Sequence, residues 1–340
     1  MGDLALLRTR PSSADPADHA HPARPPASPP LPPPAKATSA QTEDDPRRGV
    51  PLILAAISLF SVSDALAKHL GQTLPPVEVA WLRYATFFLL TLVPILRGGF
   101  GVVRSRAPGL QVLRGLALVG SALCFIAALR TLPLAEATAI NFVSPIFITA
   151  LSIPILGEVV GIRRWAAVAV GLAGVLLVVR PFVSGGFGAE VLLPVLTAAC
   201  WALAVVVTRK MAGADRSRTT LFWSAAVGFA LLSALLPFDF VVPTASQLGL
   251  GLLLGLISSA GQGLIVLAYR HAAASVLAPF AYGQLLSSTL IGFLAFGAAP
   301  DAWTLAGAAV IVGSGIYTAH RERVRARERA AAAATAARRP

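Results

Sequence analysis

Ten apolar stretches, each long enough to cross a bilayer as a helix, govern what this chain can fold into. They run approximately over residues 50–70, 77–96, 109–129, 133–156, 163–180, 190–210, 219–237, 247–269, 274–297 and 303–320. A hydrocarbon core of about 30 Å takes about 20 apolar residues in helical form. Several stretches contain Pro or Gly, which soluble helices tolerate poorly and membrane helices accept.

The charged residues fit the same medium. They make up 13% of the chain, against 56% hydrophobic residues. A soluble domain carries about 25% charged residues. The remaining charge sits near the two ends and in short runs between apolar stretches. A formal net charge of +12 would suit nucleic acid if it formed a patch. Here the basic residues flank apolar segments, where they hold loops on the cytoplasmic side. The expected partner is therefore the lipid bilayer and no nucleic acid. Cys124 and Cys200 both fall inside apolar stretches and are read as packing residues, with no disulfide or metal spacing. The first ten residues lack a signal-peptide core and cleavage site. Residues 1–48 read as a disordered Pro/Ala-rich cytoplasmic tail. Residues 321–340 read as a basic cytoplasmic tail.

Arginine and lysine placement tests the count of ten. With the N-terminal tail inside, the inner loops hold Arg97, Arg104 and Arg106, then Arg163 and Arg164, then Arg209, Lys210, Arg216 and Arg218, then Arg270. The C-terminal tail adds Arg321, Arg323, Arg325, Arg327 and Arg329. The outer loops hold at most Arg130 and Arg180. That bias fits ten spans with both termini in the cytoplasm of a cell (inner) membrane protein.

The chain also repeats itself. A shift of 140 brings Gly115 onto Gly255, Leu116 onto Leu256, Arg130 onto Arg270 and Gly157 onto Gly297. Shifts of 141 and 142 bring Phe60 onto Trp201, Lys68 onto Arg209 and Trp81 onto Trp223. Residues 50–182 and 189–320 thus read as two copies of a five-helix unit. Five is odd, so the copies enter the membrane in opposite orientations. Inverted repeats are an architecture of secondary transporters, with the site near midplane between the halves. The fold class expected is an all-α membrane protein of ten transmembrane helices in two inverted five-helix repeats.

The stretch LRTLPLAEATAINFVSPIFITALSIPILGE at residues 129–158, together with SVSDALAKHL, VEVAWLRY and VLRG, resembles the drug/metabolite transporter superfamily in its EamA-type branch. The likeness covers residues 50–320. Within the branch the pattern is similar to carriers for S-adenosylmethionine and riboflavin uptake. The second copy departs from the first, since Phe296, Gly297 and Ala298 stand where the first half ends in Leu156, Gly157 and Glu158. The resemblance implies a carrier of a small organic metabolite. It leaves S-adenosylmethionine-like, riboflavin-like and amino-acid-like substrates open.

Charges at membrane depth are costly and mark function by default. Asp64 lies about seven residues before the outer end of the first segment, and Arg83 about seven after the outer start of the second. At 1.5 Å per residue both sit about 10 Å below the outer surface. They can pair, either as a coupling device or as a structural lock. Lys68 follows Asp64 by one turn and either snorkels outward or shares the carboxylate. Glu78 opens the second helix, where a carboxylate suits the helix dipole. Glu136 sits near the outer rim of the fourth segment. Asn141 and Pro145 lie deeper, the proline freeing a backbone carbonyl near midplane, with Pro154 beyond. In the second half Gln262, Pro279, Tyr282 and Gln284 are the deep polar or helix-bending positions. Tyr282 corresponds to Phe142, so the two halves present equivalent patches. Trp201 can wall a cavity. The expected substrate site is therefore Asn141, Pro145, Tyr282, Gln284, Gln262 and Trp201. Glu158, Arg163 and Arg164 form a cytoplasmic cluster, either a gate or a topological anchor.

No hydrolase, metalloprotease or Walker motif occurs. No metal, no cofactor and no enzymatic activity are expected. Energy then comes from a gradient or from exchange, with a proton or a counter-substrate as co-substrate. A membrane scaffold or sensor, and an intramembrane enzyme, are the competing classes. Oligomeric state is not readable.

Overall fold

A computed structural model describes residues 46–157, 162–179, 189–211, 214–271, 277 and 280–336. Eleven helices are assigned in them: α1 (Pro46–Leu70), α2 (Pro76–Gly98), α3 (Pro108–Ala128), α4 (Leu134–Asn141), α5 (Ser144–Leu156), α6 (Ile162–Val179), α7 (Ala189–Lys210), α8 (Ser217–Leu235), α9 (Ala245–His271), α10 (Gly283–Phe296) and α11 (Ala302–Ala336). The described residues form no strand. Seven stretches are long and apolar enough to cross a membrane: Arg47–Leu70, Pro76–Val93, Pro108–Ala128, Leu134–Leu156, Glu190–Lys210, Ser217–Phe238 and Ala245–Ala268. Shorter apolar helices, Ala169–Val178, Gly283–Phe296 and Ala302–Tyr317, overlap the other three predicted segments without reaching spanning length. The protein is a multi-pass membrane protein. Several entries are set by proline, with Pro76 and Pro108 in the first turns of α2 and α3, where a missing N–H costs nothing.

The fourth segment is not one helix, as the apolar run suggests, but two. α4 stops at Asn141, the chain turns through Phe142 and Val143, and α5 starts at Ser144. Pro145 is the cause. It lacks the N–H that would reach the Asn141 carbonyl, and its ring crowds that carbonyl. The last bonds of α4 tighten, with Phe142 N reaching Ala139 O at 3.2 Å and Val143 N reaching Ile140 O at 3.0 Å. The ninth segment turns at Tyr282 before α10, 140 residues on. Fifteen residues beyond each turn's first residue comes the next matched break. Gly157 ends α5 and Gly297 ends α10 with φ of 70° and 65°, a left-handed cap that only glycine adopts without steric cost.

Packing repeats with the same interval. The most extensive contacts are α1 on α9, α3 on α7 and α6 on α11. The first two are equivalents under the repeat, first segment on eighth and sixth on third. Likewise α2 meets α9 as α8 meets α3, and α1 meets α10 as α7 meets α5. The two halves thus interleave, and residues 42–340 form one compact unit. Small residues let the helices close up. A side chain at Gly115 of α3 would strike Val227 of α8, and one at Gly255 of α9 would strike Thr86 of α2. Serine hydroxyls add polar links, as expected where lipid gives helices little hydrophobic reason to associate. Ser61 Oγ lies 3.1 Å from Ser288 Oγ, tying α1 to α10, and Ser63 Oγ lies 2.6 Å from Ser258 Oγ, tying α1 to α9. Phe88 stacks on Phe229 with ring centroids 5.1 Å apart, between α2 and α8.

The last helix departs from expectation. It does not stop where the apolar run ends but continues through the basic stretch to Ala336, because alanine, arginine and glutamate are strong helix formers. Of the tail expected over residues 1–48, residues 1–45 fall outside the described residues, and Pro46, Arg47 and Arg48 belong to α1.

Candidate functional site

A cavity of about 390 Å³ opens among α1, α2, α3, α4, α7, α8, α9 and the start of α10. Both halves of the chain line it. Its walls are mostly apolar and aromatic, with Phe60, Phe87, Phe125, Phe142 and Trp201, and its polar groups include Asp64, Arg83, Arg114, Asn141, Gln262 and Gln284. A mostly apolar cavity with a few fixed polar groups is the usual form of a small-molecule site.

Asp64 and Arg83 meet there, with Arg83 Nη2 3.8 Å from Asp64 Oδ1. Arg83 is further held by its Nε, which donates to Ser258 Oγ at 2.9 Å. Ser258 gives its own proton to the Leu254 carbonyl at 2.8 Å. It therefore accepts from both Arg83 and Ser63. The carboxylate, the guanidinium and the two serines thus join α1, α2 and α9 in one network beside the cavity. Lys68 takes no part in it, and neither snorkels freely nor shares the carboxylate. Its ammonium donates to the carbonyls of Leu129 and Leu132 at 2.7 and 2.6 Å, and lies 5.6 Å from the Phe296 ring centroid. Those carbonyls lie just past the end of α3, so the lysine fixes the turn between α3 and α4.

Asn141, Gln262, Gln284 and Trp201 line the cavity. Asn141 stands at the last position of α4, where the break caused by Pro145 turns it inward. Its Oδ1 is buried without a hydrogen-bond partner among the described residues. Pro145 and Tyr282 are not among the lining residues. Pro145 is exposed. Tyr282 stacks on Phe142 with ring centroids 5.0 Å apart, and its ring fills the space a side chain at Gly315 of α11 would need. It backs the wall that Phe142 presents. Glu78 is buried at the start of α2, and its Oε2 accepts from Val241 N at 3.2 Å. Glu158 and Pro279 lie outside the described residues, and of Arg163 and Arg164 only the helical backbone is described.

Arg114 escaped the sequence reading, where it served only as part of the VLRG stretch. The signal was present: it lies six residues inside α3, followed by an unbroken apolar run, as Arg83 lies seven residues inside α2. Its Nε donates to Thr208 Oγ1 of α7 at 2.7 Å and its Nη1 donates to Ser224 Oγ of α8. The α3–α8 contact, like the α2–α9 contact, is thus made by an arginine and a serine, with the two residue types exchanged between the equivalent helices.

Away from the cavity, Asp215 in the loop before α8 clamps the loop before α3. It accepts from Ser105 Oγ, from Arg106 N at 2.8 Å and from Gln111 Nε2 at 2.8 Å. Those hydrogen bonds, the Ser105 hydroxyl first, hold its carboxyl below the usual carboxylate range. Opposite this clamp in the repeat, Gln247 Nε2 donates to Thr73 Oγ1 at 2.9 Å.

Comparison with known proteins agrees with this architecture. The EamA-like transporter family matches twice, over residues 47–180 and 188–318. A riboflavin transporter of Rhizobium johnstonii is 32% identical over 82% of this chain and 92% of its own. A pseudopaline exporter of Pseudomonas aeruginosa is 31% identical over 78% and 94%. An S-adenosylmethionine uptake transporter of Rickettsia prowazekii is 26% identical over 81% and 93%. A crystal structure that aligns with a TM-score of 0.57 and 25% identity covers 81% of this chain and 98% of that one. With the family matched across both halves, the chain belongs to the EamA-like transporter family.

Proposed function

We propose that the protein is a secondary carrier of a small organic metabolite, working by alternating access of two inverted five-helix halves. The observation that carries this reading is the cavity itself, walled by both halves and holding the buried Asn141 Oδ1, which has no hydrogen-bond partner among the described residues. The substrate sits between the Asn141 break and the Gln284 end of α10, against Trp201, with Gln262 on the opposite wall. A site between repeats is reachable from each face in turn when one half rocks against the other. Phe142 and Tyr282, equivalent in the repeat, touch each other, so they mark the pseudo-twofold axis about which the halves move. The Asp64–Arg83 pair is the coupling element or the lock of that motion. By name the relatives transport riboflavin, take up S-adenosylmethionine and export pseudopaline, which supports a ring-bearing or amphoteric metabolite and leaves direction open. A gradient of protons or a counter-substrate drives the cycle. In this reading the chain crosses the cell membrane ten times, with both termini in the cytoplasm.

The test is purified full-length protein in liposomes, screened with labelled metabolites. Saturable uptake or counterflow, reduced by Asn141→Ala, Gln284→Ala and Trp201→Ala at normal abundance and melting temperature, is the expected result. Unchanged transport in all three variants would move the site elsewhere.

A further inference from the structure

We infer that the cavity selects an organic anion, and that Arg114 is the residue that binds its acidic group. This rests on the carrier reading above and names the substrate class. The charged groups lining the cavity are two guanidiniums and one carboxylate, Arg83, Arg114 and Asp64, and the phenol of Tyr84 lines it too. Asp64 is spoken for by Arg83. Arg114 has no acidic partner among the described residues.

Its bonding is what a waiting anion site requires. Thr208 and Ser224 each spend their single proton on a backbone carbonyl one turn earlier, Ala204 O and Thr220 O, both at 2.6 Å. They are therefore left as pure acceptors for Arg114. They orient the guanidinium from two sides but add no charge. Nε and Nη1 are used, and Nη2 has no partner among the described residues. A charge at this depth without a counter-charge is costly. An acidic group on the substrate removes that cost on binding. The preference is for anions over neutral analogues, since hydrogen bonds to a charged acceptor are the stronger kind. Phe125 and Trp201 line the same space and suit a flat ring on the rest of the ligand.

A structural role alone, gluing α3 to α7 and α8, would produce the same hydroxyl contacts, so the test has to separate the two. Two matched pairs serve as probes: riboflavin against riboflavin 5′-phosphate, and indole-3-acetamide against indole-3-acetate. Binding to the purified full-length protein is read by tryptophan fluorescence and by thermal shift. On the wild type, at least one anionic member binds about tenfold or more tighter than its neutral twin, and the pair that responds tells phosphate from carboxylate. In Arg114→Gln the preference disappears, and in Arg114→Lys part of it returns. Equal or tighter binding of both neutral members, no binding of any probe, or an anion preference that survives Arg114→Gln would each overturn the inference. The wild-type comparison stands even where Arg114→Gln fails to fold. Transport of a neutral metabolite with no anion preference defeats this inference and leaves the carrier reading intact. Anion binding without any transmembrane flux does the reverse.

Discussion

Removing the Lys68 ammonium strands two buried carbonyls, those of Leu129 and Leu132. Lys68→Met therefore costs about 1–3 kcal/mol of stability, read as a lower melting temperature in detergent, while the cavity and its ligand preference stay unchanged. Asp64 and Arg83 behave differently. Asp64→Asn or Arg83→Gln alone leaves a buried charge without its partner, and the cost of breaking such a pair is about 3–5 kcal/mol. The double variant leaves no lone charge, so its loss in melting temperature is smaller than the sum of the singles. Simple additivity would mean the two do not interact. That these two residues share a depth is readable from their equal distances to the helix ends. Lys68 is not readable in the same way. Its position one turn after Asp64 points to the carboxylate, but the acceptors it finds come from a chain turn 61 residues away, which no local spacing reveals.

At the scale of the element, breaks say more than helices. Gly157 and Gly297 end α5 and α10 in the left-handed region. Alanine at either site costs about 1–2 kcal/mol, and equivalent losses in the two variants' melting temperatures would reflect the shared geometry. The Pro145 break was legible in part: the proline marked a freed carbonyl, and the chain there divides into two helices with Asn141 at the break, lining the cavity. Loops carry a second kind of information. Asp215 accepts three hydrogen bonds from the loop and helix start at residues 105–111, and its carboxyl is held below the usual range. A carboxyl depressed in the folded state stabilises at pH values above its unfolded pKa of about 3.9, and that stabilisation fades as pH falls through the folded value. Asp215→Asn thus melts below the wild type at pH 7, with the gap closing towards pH 3. A gap that does not change with pH would show that the charge of Asp215 contributes nothing. Nothing in the sequence singled out Asp215, because its partners lie in a loop more than a hundred residues earlier.

For the whole molecule, the arginine bias makes a topological prediction. Alkaline phosphatase fused after residue 73 is active and fused at the C-terminus is inactive; the opposite pattern would invert the orientation. Counting apolar runs located the seven long apolar stretches, and the shift of 140 located the two family matches, since both are written in local composition. The interleaving of the halves was hidden, because periodicity says which residues correspond and not which ones touch. The length of α11 was hidden too, as charged residues disguise a continuing helix as a tail. That length has a mechanical meaning. From the end of its apolar part at Tyr317 to Ala336 the helix runs about 28 Å further at 1.5 Å per residue, and its root packs along α6. A rigid-body rotation of about 15° sweeps the far end through about 7 Å, so this rod acts as a pointer that magnifies small tilts of the helix pair into a displacement a fluorescent label at its tip can register.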